Sequence, residues 1–248
     1  MEERLHKVLA RSGVGSRREC ERLIAQGLIV VNGKKVRDPG TKIEPQKASI
    51  KIDGKTLKVD ADPTLKNAQY LAVYKPRGVL TTMKSDPEER STMLDLLPAR
   101  LKTRVFPVGR LDFNSEGLVL LTNDGELAHR LTHPKFKLPK TYEVKVHGIP
   151  SPRILKILST GVNLEDGRTL PATVRIIRKT RTNTWLSFTL HEGKKRQIRR
   201  MCAKVRLPVS KLRRISIGPI KLQGLERGQH RFLEPDEVKK LKTAVKLP

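Results

Sequence analysis

Asp112 closes the stretch Gly109-Arg110-Leu111-Asp112 and stands shortly before an apolar run, Gly117-Leu118-Val119-Leu120-Leu121. A carboxylate so placed can act as a nucleophile or a base, provided it stays ionised at neutral pH. Taken alone, it is more simply the aspartate of an ordinary turn beside Gly109. Tyr142, within Lys140-Thr141-Tyr142-Glu143-Val144, offers a flat ring and a phenol; alone it reads as a core or cross-strand residue. Arg199, within Glu192-Gly193-Lys194-Lys195-Arg196-Gln197-Ile198-Arg199-Arg200-Met201, offers two aligned donors to a carboxylate. Alone it reads as one more phosphate contact.

Arg199 belongs to the most basic part of the chain. Fourteen Lys and Arg residues lie between Arg175 and Arg214 against one acid, Glu192. Such a stretch repels itself unless a polyanion neutralises it. The whole chain, at 248 residues, carries 52 Lys and Arg against 25 Asp and Glu, a net charge of +27, so nucleic acid is the leading partner. Aromatic residues make up only 4% of the chain, which argues against a stacking platform for many bases and favours recognition of RNA shape and backbone. The two cysteines, Cys20 and Cys202, and six scattered histidines match no zinc spacing, and both thiols read as small buried apolar groups. Acids near the candidate site are too sparse for a two-metal nuclease. With no long apolar run, signal peptide or lipidation motif, no membrane partner is expected and the cytoplasm is the default location.

Several elements must position these residues. Ser16-Arg17-Arg18-Glu19, followed by Leu23, Ile24 and Leu28, predicts a short helix from Ser16 that ends at Gly27. Leu5, Val8 and Leu9 predict a partner helix before it. Asn32-Gly33 between Ile29-Val30-Val31 and Lys34-Lys35-Val36 predicts a hairpin, and Asp53-Gly54 a second. Residues 62 to 68 read as a linker, which divides the chain into a module at 1–61 and a larger domain at 69–248. Beyond it, strands are expected at 70 to 74, 117 to 122, 142 to 146, 172 to 177 and 184 to 190. Helices are expected at 125 to 132, 151 to 159 and 194 to 205, the last with several basic residues along one side. Mixed without strict alternation, these elements predict an α+β fold.

Gly109-Arg110-Leu111-Asp112 with Gly117 through Asn123-Asp124-Gly125 resembles the catalytic motif of the pseudouridine synthases of ribosomal RNA, in the group that joins type A of the small ribosomal subunit with types B, E and F of the large one. Lys75-Pro76-Arg77-Gly78 is similar to the family's entry motif, 140–144 to its tyrosine motif and 192–201 to its basic motif. The N-terminal Arg4-Leu5 through Val31-Asn32-Gly33 resembles an S4 RNA-binding module. The wording of the motifs is nearest to type B of the large subunit. Ser115, where relatives often carry Thr, and Phe136-Lys137-Leu138-Pro139 depart from the family pattern.

The resemblance implies isomerisation of a uridine within RNA, without cofactor or metal: the glycosidic C–N bond breaks, uracil turns over and a C–C bond forms. It implies a small S4-like module before a mainly antiparallel sheet with flanking helices and a basic central cleft. It makes Asp112 the essential acid, Tyr142 the active-site tyrosine and Arg199 the arginine paired with that acid. Arg110, Leu111 and Leu212 would line the uracil pocket. Arg4, Lys7, Arg17, Arg18, Arg22, Lys34, Lys75, Arg77, Lys194, Lys195, Arg196 and Arg200 would contact RNA. The expected enzyme is a monomer acting on 23S ribosomal RNA, with 16S RNA, or a non-catalytic ribosome-assembly factor, as alternatives.

Overall fold

The computed structural model describes residues 2–57, 59, 68–102 and 105–247. The chain divides into two compact units, Met1–Ala68 and Gln69–Pro248. Apart from Ala68, the linker expected at 62 to 68 lies outside the described residues.

In the first unit, β1 (Glu3–Arg4) leads into a helix at Leu5–Arg11, and a second helix follows at Arg17–Ala25. The Ser16 hydroxyl accepts the Glu19 N–H at 3.2 Å, which satisfies one of the donors left open at a helix start. The two helices bury Leu5, Val8, Leu9, Cys20 and Ile24 against Ile29 and Ile50. Strands β2 (Ile29–Val31), β3 (Lys34–Val36), β4 (Lys42–Ile43), β5 (Ile50–Ile52) and β6 (Lys55–Leu57) follow, four of them forming a sheet in the order β3-β2-β5-β6. Both predicted hairpins form. Their central residues take positive φ, 48° and 81° at Asn32 and Gly33 and 47° and 77° at Asp53 and Gly54, as the twist of a two-residue hairpin demands.

The second unit contains β7 (Tyr70–Lys75), β8 (Phe106–Val108), β9 (Glu116–Thr122), β10 (Lys140–His147), β11 (Asn163–Leu164), β12 (Gly167–Arg168), β13 (Thr173–Lys179), β14 (Asn183–Leu190), β15 (Val209–Ile217), β16 (Ile220–Lys221) and β17 (His230–Phe232). Its main sheet runs β13-β14-β10-β15-β9-β7-β17, with β16 on β15 and β8 on β9. The pairs are antiparallel except β15 with β9. Each residue of β9 is buried, because this strand has a core on each face. Val119 and Leu121 join one cluster, with Tyr142, Val144, Leu186 and Leu212, under the helices Pro152–Thr160 and Gln197–Lys204. Leu118 and Leu120 join the other, under the helices Gly125–Thr132 and Pro235–Ala244. A continuous apolar run, not an alternating one, is what burial on both faces requires.

Several features differ from the sequence expectation. The helix expected over 194 to 205 starts only at Gln197, because Arg196 takes a left-handed φ of 50°. Lys194, Lys195 and Arg196 therefore form a turn ahead of the helix and not its basic side. Strand β15 and the Pro235–Ala244 helix were absent from the expected elements. In β15 the charges of Lys211, Arg213 and Arg214 disguise a strand that buries Leu212 and Ile217.

The parallel contact of β15 with β9 spans only two register pairs, Arg213 with Glu116 and Arg214 with Gly117. It depends on Gly117, whose φ is 113°; a Cβ there would come within 2.2 Å of the Arg214 carbonyl oxygen. Backbone cannot give way as a side chain tip can. We therefore expect Gly117→Ala to lose roughly 3 kcal/mol or more of stability, the sum of left-handed strain and the strand separation. Urea unfolding checks this, and an unchanged midpoint would count against the crossing as described.

Candidate active site

Asp112 lies in the loop between β8 and β9, and the backbone around it is fixed residue by residue. The Thr81 hydroxyl accepts the Leu111 N–H at 3.2 Å and donates to the Leu111 carbonyl at 2.8 Å. Ser115 N–H closes a turn on the Asp112 carbonyl at 3.0 Å. Gly78 N–H reaches the Phe113 carbonyl at 2.9 Å, and Arg199 Nη2 donates to the Asn114 carbonyl at 2.8 Å. The loop is thus held by the segment after β7 on one side and by the Gln197–Lys204 helix on the other. Asp112 is half-buried, and among the described residues its carboxylate makes no ion pair within 4.0 Å. A fixed backbone with an uncommitted side chain suits a group that must react.

Arg199 corrects a sequence expectation. Its guanidinium does not fork onto Asp112: Nη1 donates to the Val209 carbonyl at 3.1 Å and Nη2 to Asn114. It acts on the loop through backbone while remaining within electrostatic range of the acid. Burial, then Arg196, holds its pKa below the usual guanidinium value; Asp112 opposes them and Arg77 adds to them.

Beneath the loop, one transverse row crosses four strands. Lys75 pairs with Gly117, Gly117 with Arg214, and Arg214 with Tyr142. Lys75 is fully buried, which corrects its assignment as an RNA contact. Its Nζ donates to the carbonyls of Pro76 at 2.8 Å and Val79 at 2.7 Å. Arg214 is 3% exposed, with Nε donating to the Leu118 carbonyl at 2.7 Å. Leu111 and Leu212, two of the three expected pocket residues, are buried in the same apolar cluster as Tyr142; Arg110, the third, is exposed.

Burial lowers the Lys75 pKa to about 8, with Asp112 and Glu116 acting upward and Arg214 downward. The unfolded chain therefore binds more protons than the folded one between about pH 8 and 10.5, so this lysine makes stability rise with pH across that window, by at most about 1.4 kcal/mol per pH unit. Lys75→Met should flatten the rise between pH 8 and 9 in urea unfolding. An identical slope in both proteins would show that Lys75 is not desolvated. The thiols behave as expected of buried apolar groups, since burial pushes Cys20 up to about 11 and Cys202 up to about 12.

The cations expected to contact RNA fall into distinct settings. Arg4, Lys7, Arg17, Arg18, Arg22 and Lys34 are exposed in the first unit; Arg77, Lys195 and Arg196 are exposed in the second. Arg200 is held by Asp166 through two bonds of 2.9 Å, and Lys194 Nζ donates to the carbonyls of Asp166 and Gly167. Thr81 and Arg214 carry the loop and the floor of the site but had no motif to mark them. Among the described residues, no group of three or more His, Cys, Asp or Glu is arranged to hold a metal ion. No helix among them is long and apolar enough to cross a membrane.

Comparison with known proteins gives concordant matches. The RNA pseudouridylate synthase family matches residues 69–204 and the S4 domain residues 3–47. An RNA pseudouridine synthase of Aquifex aeolicus is 43% identical over 247 residues, covering 100% of this chain and 96% of the relative. The ribosomal large subunit pseudouridine synthase B of Bacillus subtilis is 41% identical over 242 residues, covering 97% and 96%. A crystal structure of a pseudouridylate synthase superposes with a TM-score of 0.69 at 29% identity, covering 96% of this chain and 99% of that one.

Proposed function

The chain belongs to the RNA pseudouridylate synthase family, with an S4 domain at its N-terminus, and from that premise we propose that it converts a specific uridine of large-subunit, 23S ribosomal RNA to pseudouridine, with Asp112 as nucleophile. The observation that carries the mechanism is the Asp112 loop, tied at each of residues 111 to 114 while its carboxylate stays uncommitted. The large-subunit target is supported by the name of the Bacillus subtilis relative.

In the proposed reaction the target uridine leaves its stack, at a cost of roughly a few kcal/mol. Asp112 supplies the nucleophile for cleavage of the C–N bond. Lys75 and Arg199 lie within electrostatic range of that acid, without a direct ion pair to it. The freed uracil turns over against Tyr142, Leu111 and Leu212, C5 bonds to the sugar carbon as the Asp112 carboxylate is released from it, the C5 proton departs and N1 gains one. Tyr142 is only 8% exposed, so side chains over it must move as the base enters. Residues 1–61 serve as a separable RNA grip joined through 62–68. The enzyme acts as a monomer in the cytoplasm and needs no cofactor.

Mapping pseudouridines in total ribosomal RNA from cells with and without this gene tests the proposal. The expected result is the loss of at least one site in 23S RNA. Loss confined to 16S RNA would overturn the target, and an unchanged map would overturn the activity.

A further inference from the structure

The two faces of the β13-β14-β10-β15 half of the sheet carry different chemistry. Val144, Leu186 and Leu212 point into the core, so their neighbours Lys145, Trp185 and Lys211 occupy the opposite face. These lie in one transverse row: Arg178 pairs with Trp185, Trp185 with Lys145, and Lys145 with Lys211. Three inter-strand steps of about 4.8 Å make the row about 14 Å long. Trp185 is the chain's one tryptophan, and it is half-exposed on a strand instead of being packed in the core. The Arg178 guanidinium lies over its ring, 5.2 Å from the centroid.

The adjacent row on this face is neutralised, with Glu143 paired to Arg213 and Glu116 to Arg227. Among the described residues, Arg178, Lys145 and Lys211 have no such carboxylate within 4.0 Å. Like charges directly opposite each other, as at Lys145 and Lys211, weaken a sheet. Bound phosphates would relieve that repulsion. The row also has an exit toward the Asp112 site. Lys211 lines a pocket of about 340 Å³ with Arg77, Glu116 and Arg227, and Arg77 is near enough to Arg199 to act on its charge.

We propose that Arg178, Trp185, Lys145 and Lys211 form a second RNA track, continuous through Arg77 with the Asp112 site, that holds a single-stranded segment flanking the modified uridine. Lys145 and Lys211 bind successive phosphates, and a base stacks on the Trp185–Arg178 pair, a contact that tolerates any base. One stacking residue within a cationic row is consistent with a chain so poor in aromatics. The track rests on the RNA-modifying role proposed above.

The test uses full-length Asp112→Asn protein, titrated with deproteinised ribosomal RNA while the fluorescence of Trp185 and its quenching by iodide are followed. RNA is expected to alter the emission and shield the ring from iodide. Lys145→Glu with Lys211→Glu is expected to weaken binding by at least about tenfold and to reduce the log–log salt slope by about 1.4, two single-strand phosphate contacts at about 0.7 each. Arg178→Ala, at an exposed position of β13, should weaken shielding of Trp185 by RNA. Unchanged emission and affinity, with RNA still retained on a filter, would overturn the track and leave the catalytic proposal standing. In a parallel titration with polyglutamate, shielding by that polymer but not by RNA would overturn it in favour of an acidic protein partner. Loss of pseudouridine sites in the gene-deletion map is scored separately, so failure of the catalytic role is distinguishable from failure of the track.

Discussion

Asp112→Asn is expected to lower pseudouridine formation by about four orders of magnitude or more while leaving RNA affinity within about twofold. Asn has nearly the shape of Asp but neither the charge nor the nucleophilic oxygen. The loop should survive the change, because its ties to Thr81, Gly78 and Arg199 all run through backbone atoms of residues 111, 113 and 114. The measurement is product formed on ribosomal RNA from cells lacking the gene, beside a filter-binding assay on the same RNA. Normal product from the Asn variant would reject Asp112 as the reacting group.

Raising salt from 50 to 200 mM is expected to weaken binding to ribosomal RNA by about three orders of magnitude, the behaviour of six or more phosphate contacts. The exposed cations of both units supply that number: Arg4, Lys7, Arg17, Arg18, Arg22 and Lys34 in the first, Arg77, Lys195 and Arg196 in the second. Removing residues 1 to 60 should lower both affinity and salt slope without unfolding the remainder, since the first unit packs its own core around Leu5, Ile24, Ile29 and Ile50. A flat salt response would contradict electrostatic capture of RNA. An insoluble 64 to 248 fragment would contradict the separable grip.

Local structure was legible wherever one residue type had one conformational meaning. Asn32-Gly33 and Asp53-Gly54 read as tight hairpins, Ser16 with Glu19 as a helix start, and the apolar run of β9 as a strand, although its burial on both faces emerged only with the fold. The order of the motifs likewise identified the family and singled out Asp112, without any knowledge of where its loop would sit.

Which way each charge points was decided by the tertiary structure. Lys75 and Arg214 count as basic residues in the sequence, yet they lie buried, while Lys145, Trp185 and Lys211 share a row on the reverse face. Arg199 donates to carbonyls from β15 and from the Asp112 loop, the latter 85 residues away in sequence. Composition sets the total charge and periodicity sets the local element. The partner of a side chain depends on strand register across long separations, and register is fixed only when both faces of the sheet close on their cores.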